Sequence, residues 1–220
     1  MDKKIIVLIL FILLLVIIGG VIFMITSNRN NEQNQTNNQL AEYQENTISY
    51  NTNTNVNNDT RENGKILVLY FSQSGNTEAV ANFIHDEVGG DIVKIETSQT
   101  YPSDYDELID YAQEEQRQNA RPELKIKIDN IDQYDTIFLG YPNWWGDMPM
   151  PIYTFLEEYD LSGKIIAPFI THGGSGLSGT PSKIKQEEPN ATITEGLAIN
   201  GSRARNSQSD VKNWLSEIDF

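Results

Sequence analysis

Residues 70–80, YFSQSGNTEAV, place short polar side chains between an apolar run and a helical pattern. Ser72, Ser74 and Thr77 supply hydroxyl groups, Asn76 supplies an amide, and Gly75 permits backbone conformations that other residues avoid. Backbone N–H groups at the start of a helix attract anions, and the helix dipole strengthens that attraction. The segment therefore predicts a loop that holds a phosphate group without a basic side chain. The alternative is an ordinary N-cap and turn, which would need only one of these residues.

Two further loops of unusual composition follow apolar runs that are typical of buried strands. Residues 141–149, YPNWWGDMP, contain two adjacent tryptophans, whose flat faces suit stacking on a planar ligand. Residues 171–179, THGGSGLSG, contain glycines that let the backbone approach a ligand closely. One tryptophan packed in the core and a plain glycine-rich turn are the alternatives. Ligands of open parallel sheets bind beyond the carboxyl ends of the strands, so we expect the three loops to meet.

Apolar runs and amphipathic segments alternate along the chain after residue 64. The runs predict strands at 65–71, 91–95, 136–140, 164–170 and 192–199, and the amphipathic segments predict helices at 76–88, 105–118, 151–159, 182–188 and 209–218. Continuous apolar strands that are separated by helices indicate an α/β fold with a parallel sheet covered on both faces.

The N-terminal part of the chain has a different composition. Residues 5–25 carry no charge and are about as long as the ~20 residues that span a bilayer. We predict a transmembrane signal anchor at 1–26 in preference to a cleaved signal peptide, and a flexible Asn/Gln/Thr-rich linker at 27–63 before the domain at 64–220. Lys3 and Lys4 precede the apolar segment, so the positive-inside rule favours an extracytoplasmic domain.

Charge and cysteine content exclude several classes of function. The formal net charge is -15, which argues against a nucleic-acid partner. The chain has no cysteine, so thiol catalysis and iron–sulfur clusters are excluded. The first turn matches neither the P-loop nor the dinucleotide-binding glycine pattern. A receiver domain would need acidic residues after the first and third strands, where this chain has Ser72-Gln73 and Tyr141-Pro142.

The loop that contains Ser72, Ser74, Gly75 and Thr77 resembles the flavodoxin phosphate loop, T/S-x-T/S-G-x-T. The segments GYPNWWGDMPMP and THGGSG are similar to those of reductase-type relatives in the flavodoxin-like family. The resemblance covers essentially the whole domain. It implies a flavodoxin-like three-layer sandwich, in which a five-stranded parallel sheet in the order 2-1-3-4-5 holds flavin mononucleotide (FMN) at its carboxyl edge.

The resemblance also implies three groups of cofactor-binding residues. The phosphate group comprises Ser72, Gln73, Ser74, Gly75, Asn76 and Thr77; the ring group comprises Pro142, Asn143, Trp144, Trp145 and Gly146; the opposite wall comprises Thr171, His172, Gly173, Gly174 and Ser175. Asp147 is expected near the ring, where its charge would lower the reduction potential of the flavin. No residue is assigned as catalytic or as a metal ligand.

These features predict an FMN-binding, flavodoxin-like electron-transfer protein that is tethered to a membrane. The expected partner is a redox protein or a small electron acceptor such as a quinone. An NAD(P)H-dependent quinone-type reductase is one alternative, and a flavodoxin-fold interaction module without a cofactor is another. Arg203 and Arg205 follow the predicted fifth strand, where they could contact an anionic partner or belong to an ordinary surface loop.

Overall fold

The computed structural model describes residues 64–220, and each of the first four apolar runs forms one strand there, whereas the fifth forms two. The strands are β1 (Lys65–Tyr70), β2 (Asp91–Lys94), β3 (Tyr134–Pro142), β4 (Ile165–His172), β5 (Thr192–Ile193) and β6 (Leu197–Asn200). The helices are α1 (Asn76–Val88), α2 (Tyr105–Arg117), α3 (Met150–Glu158), α4 (Thr180–Glu187) and α5 (Gln208–Glu217), with 3-10 helices at Ile131–Gln133 and Gly201–Asn206. The predicted elements are therefore present, with ends that shift by one to a few residues.

All strand pairs of the sheet are parallel, and the order is β2-β1-β3-β4, with β5 and β6 both paired to β4. Alternate residues of the strands enter two apolar cores. Leu67 and Leu139 belong to the core on the α3 and α4 side, whereas Val68 and Phe138 belong to the core on the α1 and α5 side. The predicted flavodoxin-like sheet in the order 2-1-3-4-5 is thus confirmed.

The fifth strand differs from its prediction, because residues 192–199 do not form one continuous strand. Ile166 pairs with Ile193 and Phe169 pairs with Leu197, so two residues of β4 face three residues of the interruption at 194–196. The Ile166 carbonyl accepts a hydrogen bond from the Thr194 N–H. Alternate residues of a strand direct their backbone polar groups to the same neighbour, so the backbone nitrogen of Pro168 also faces the fifth-strand segment. Proline has no N–H group to donate, and the partner strand leaves the sheet at this point.

Longer central strands bring the predicted loops closer to the sheet than expected. β3 continues to Pro142 and β4 continues to His172, beyond the predicted ends at 140 and 170.

The predicted membrane anchor and linker lie outside the described residues. Within residues 64–220, no helix is both long and apolar enough to cross a bilayer.

Candidate functional site

A cavity of about 610 Å³ lies at the carboxyl edge of the sheet. Its lining comes from the ends of β1, β3, β4 and β6 and from one face of α2: Ser74, Asn76, Tyr105, Leu108, Ile109, Ala112, Pro142, Asn143, Trp144, Trp145, Thr171, His172, Gly173, Asn200, Gly201 and Ser202. The volume is within the range of pockets that hold small molecules and cofactors. The three loops that the sequence singles out therefore meet at one cavity.

The first loop leaves the start of α1 open to an anion. Gly75 has a left-handed φ of 82° and α1 lacks a side-chain cap. The Glu78 N–H donates to Ser72 Oγ at 3.3 Å, whereas the N–H groups of Asn76 and Thr77 have no acceptor within the described chain. Unpaired N–H groups in the first turn attract negative charge. The loop can therefore bind a phosphate group through its backbone.

The second loop is a tight turn with two left-handed residues. The backbones of Trp144 and Asp147 exchange two hydrogen bonds of 2.9 Å, and Trp145 and Gly146 between them have φ values of 53° and 77°. Glycine adopts this conformation readily, but an aromatic residue does so only with backbone strain. The Trp145 indole N–H donates to the Ile109 carbonyl at 3.0 Å and so connects the turn to α2.

The two tryptophans have different environments. Trp144 is half-buried and packs edge-on against the rings of Phe71 and Tyr101, with centroid distances of 5.4 and 5.5 Å. Trp145 is 53% exposed. Only Trp145 is thus free of the aromatic cluster, although both side chains line the cavity.

Asn143 links the second loop to the third. Its Nδ2 donates to the Gly176 carbonyl at 3.1 Å, and its Oδ1 accepts from the Gly146 N–H at 3.0 Å. Its backbone N–H donates to the Thr171 carbonyl at 2.7 Å. The bonds to Gly176 and Thr171 join the two loops, and the bond from the Gly146 N–H stabilises the turn within the second loop, so the cavity walls are held before any ligand binds.

The third loop presents a histidine in a defined orientation. The Gly174 N–H donates to His172 Nδ1 at 2.9 Å, so the proton of the neutral ring lies on Nε2. Thr171, at the end of β4, shares a hydrogen bond of 2.8 Å with the buried Thr77 hydroxyl. That bond joins the third loop to α1. His172 can therefore donate a hydrogen bond through Nε2 to an acceptor in the cavity.

Comparison with known proteins identifies the family. The flavodoxin family model matches residues 65–218, which is nearly all of the described chain. This chain belongs to the flavodoxin family.

Several known proteins, two of them with solved structures, resemble this flavodoxin-family chain. A protein described as a flavoprotein from Bacteroides eggerthii is 35% identical, with a TM-score of 0.64, and the match covers 72% of this chain and 99% of that one. The flavoprotein of Lactobacillus acidophilus, solved in complex with FMN, is 26% identical, with a TM-score of 0.55 and coverage of 65% and 97%. A flavodoxin of Nostoc is 25% identical over an alignment of 186 positions, which covers 70% of this chain and 95% of that protein.

The flavodoxin fold brings most of the predicted site residues to the cavity, but not all of them. Those that line it are Ser74, Asn76, Pro142, Asn143, Trp144, Trp145, Thr171, His172 and Gly173; those that do not are Ser72, Gln73, Gly75, Thr77, Gly146, Gly174 and Ser175. The hydroxyls of Ser72 and Thr77 form hydrogen bonds within the protein, as described above. Gln73 is exposed and donates to the Pro102 carbonyl at 3.4 Å. These residues shape the loops, and their role as cofactor ligands stays a prediction.

Asp147 does not line the cavity. Its carboxylate pairs with Lys183 and accepts a hydrogen bond of 2.9 Å from the Tyr153 hydroxyl. Burial raises the pKa of Tyr153, and the hydrogen bond to the Asp147 carboxylate raises it further. The Asp147 charge is thus neutralised inside the protein, and the expectation that it lowers a flavin potential has no support from this geometry.

Two parts of the lining were not predicted from the sequence. The first is the α2 wall of Tyr105, Leu108, Ile109 and Ala112, and the second is the segment Asn200, Gly201 and Ser202 after β6. The apolar face of an amphipathic helix is normally predicted to pack in the core. That part of the α2 face lines a cavity instead is seen only once the neighbouring elements are in place. The segment after β6 could have been found, because the carboxyl-edge rule applies to the fifth strand as it does to the others.

Proposed function

We propose that this protein is an FMN-binding electron-transfer flavoprotein that is tethered to a membrane by its N-terminal segment. The observation that carries the proposal is the cavity at the carboxyl edge, which joins an uncapped helix start to an aromatic wall. The Lactobacillus acidophilus relative, which binds FMN, supports the choice of cofactor. Bound FMN would supply the ability to accept and pass on electrons, and the protein would supply orientation and electrostatics.

The residues of the cavity fit the two ends of FMN. The phosphate would bind to the N–H groups of Asn76 and Thr77, where α1 has no cap of its own. The ring would lie between the second loop, with Trp145, and the third loop, with His172. His172 Nε2 would donate a hydrogen bond to a ring acceptor, and Asn143 would hold the two walls in place.

Two exposed aromatic side chains lie at the cavity. Tyr105 is 72% exposed and Trp145 is 53% exposed, and in the described part of the chain they are the two exposed large apolar side chains. Both line the cavity. Exposed aromatic residues at one place mark a contact surface, so this edge is where an electron donor or acceptor would bind.

A quinone-type reductase that uses NAD(P)H is the second candidate, and the α2 wall favours it. Leu108, Ile109 and Ala112 give this wall an apolar surface that a planar acceptor could contact. Anaerobic mixing of the FMN-loaded protein with NADH or NADPH separates the two candidates. Rapid loss of the flavin colour, restored by an added quinone, would establish the reductase. If neither nucleotide changes the flavin colour, the reductase is contradicted and the electron-carrier proposal is retained.

The membrane part of the proposal rests on sequence. We propose that residues 1–26 anchor the chain, that residues 27–63 are a linker, and that the domain at 64–220 lies on the extracytoplasmic side. The test is protease treatment of intact cells, with and without permeabilisation. Cleavage of the domain only after permeabilisation would contradict the proposed side, and recovery in the soluble fraction would contradict the anchor.

The first experiment is a test for bound flavin. The full-length protein, purified in detergent, is incubated with FMN, freed of excess, and examined by absorption. We expect a retained yellow chromophore that is released as FMN on denaturation. A colourless protein that also fails to quench FMN fluorescence would refute the proposal and leave an interaction module without cofactor as the better interpretation.

A further inference from the structure

Arg205 lies next to the first loop. It belongs to the 3-10 helix Gly201–Asn206, which packs against α1. A Cβ atom placed on Gly75 would lie 3.8 Å from Arg205 Nη2, and apart from Gly75 and its two chain neighbours no other residue of the described chain would come within 4 Å of that Cβ. The guanidinium group is therefore beside the open start of α1, although the two segments are far apart in sequence.

The backbone next to Arg205 is held by buried neighbours. Ala204 is fully buried, and its carbonyl accepts a hydrogen bond of 2.8 Å from the buried Ser207 hydroxyl. Asn200 caps the 3-10 helix, since its Oδ1 accepts from the Ser202 N–H at 3.0 Å. The backbone that carries Arg205 is thus fixed, while the residue as a whole is exposed.

The other arginines of residues 64–220 each have a carboxylate partner. Arg117 pairs with Glu114, Arg121 with Glu157, and Arg203 with Asp210 at 2.9 Å; Arg205 alone pairs with none in this part of the chain. The chain has a formal net charge of -15, so carboxylates are plentiful. A guanidinium group without a carboxylate partner in residues 64–220, next to unpaired N–H groups of the same part of the chain, leaves a place for an anion.

We propose that Arg205 binds the phosphate group of FMN and supplies the positive charge that the first loop lacks. The inference rests on the proposed FMN binding, and it corrects the expectation that the backbone alone neutralises the phosphate. A guanidinium group presents planar donors that match phosphate oxygens, and Arg205 Nη2 lies beside the backbone of Gly75 at the start of α1. The consequence is discrimination by charge between FMN and riboflavin, which lacks the phosphate.

The test compares Arg205→Gln, Arg205→Lys and Arg203→Gln in the full-length protein in detergent. Arg203 is the matched control, because it lies in the same 3-10 helix but pairs with Asp210. Dissociation constants for FMN and riboflavin are measured by fluorescence quenching at about 10 mM and about 500 mM salt, where screening is weak and strong. The ratio of the two constants reports the contribution of the phosphate.

We expect Arg205→Gln to weaken FMN binding roughly fivefold or more at low salt and to leave riboflavin binding unchanged. The loss should shrink at high salt, because the interaction is electrostatic. Arg205→Lys should recover part of the loss, since it keeps the charge but not the planar donors. Arg203→Gln should change neither constant.

Three outcomes would overturn the inference. Equal FMN affinity in the wild type and Arg205→Gln would show that Arg205 does not contact the phosphate. An equal loss for FMN and riboflavin would assign Arg205 a structural role instead. A wild-type protein that binds neither flavin would refute the proposed function itself, and this result is distinct from the first two because it needs no variant.

Discussion

Replacing Asn143 with alanine tests whether the two walls of the cavity are held by one side chain. The change removes the Nδ2 bond to the Gly176 carbonyl and the Oδ1 bond from the Gly146 N–H. A side-chain hydrogen bond contributes about 1 kcal/mol net, so two bonds in partly exposed loops contribute about 1–2 kcal/mol. A domain of this size loses roughly 2–4 °C of Tm per kcal/mol. We therefore expect Asn143→Ala to lower the Tm by about 2–8 °C.

Asn143→Asp separates the two bonds. Aspartate keeps an oxygen that can accept from the Gly146 N–H, but it places a second oxygen against the Gly176 carbonyl. If the link between the loops orients the walls, Asn143→Asp should weaken FMN binding at least as much as Asn143→Ala does. The assays are thermal unfolding without ligand and FMN titration by fluorescence.

Asn190→Ala is the matched control. Its amide donates to Ser162 Oγ at 3.5 Å in an exposed pair that does not line the cavity. This variant should keep the wild-type FMN affinity. An Asn143→Ala protein with wild-type Tm and wild-type FMN affinity would refute the reasoning, and a lowered Tm with unchanged affinity would show that the link stabilises the loops without serving the site.

Three further changes test other parts of the structure. Gly140→Ala should cost about 2–3 kcal/mol in denaturant unfolding, because its Cβ would come 2.1 Å from the Phe169 ring; wild-type stability would contradict that contact. Burial raises the pKa of the Glu115 carboxyl group, and a hydrogen bond of 2.7 Å from the Tyr101 hydroxyl offsets part of that increase. The folded state therefore binds the proton more tightly than the unfolded state, and the contribution of Glu115 to stability falls as pH rises above its ordinary pKa. The stability of Glu115→Gln relative to the wild type should increase from about pH 4 to pH 7 in urea unfolding, and a constant difference would contradict this. Trp145→Asn should stay within about 1 kcal/mol of wild-type stability, because asparagine tolerates the left-handed turn, but should bind FMN roughly fivefold more weakly; equal affinity would remove Trp145 from the ring site.

The sequence predicts the order of elements well, because the central strands β1, β3 and β4 are apolar runs that can be buried only in the centre of a layered fold. The predicted helix at 76–88 matches α1 from Asn76 to Val88. The interruption of the fifth strand was not predicted, since it depends on Pro168 in the neighbouring strand. Pairing partners of this kind are set by register, which local patterns do not contain.

The site was predicted only in part, and the reason is similar. The three loops have unusual local composition, so the sequence draws attention to them. The sequence draws attention to Arg203 and Arg205 together as possible contacts of an anionic partner, but nothing near Arg205 in the sequence shows that its neighbour in space is Gly75. The open face of α2 was missed because Leu108 and Ala112 have the spacing of ordinary core residues.

The extra residue between β5 and β6 determines which side chains of β6 point into the core. Leu197 and Ile199 are buried and Ala198 between them is exposed, so deletion of one residue at 194–196 would exchange inward and outward positions. The same deletion would advance Asn200 by about 3.3 Å along the strand direction, and Arg205 would move with it. The number of residues between β5 and β6 therefore also sets the position of Arg205 beside α1. A deletion or insertion of one residue there would require a compensating change before Arg205.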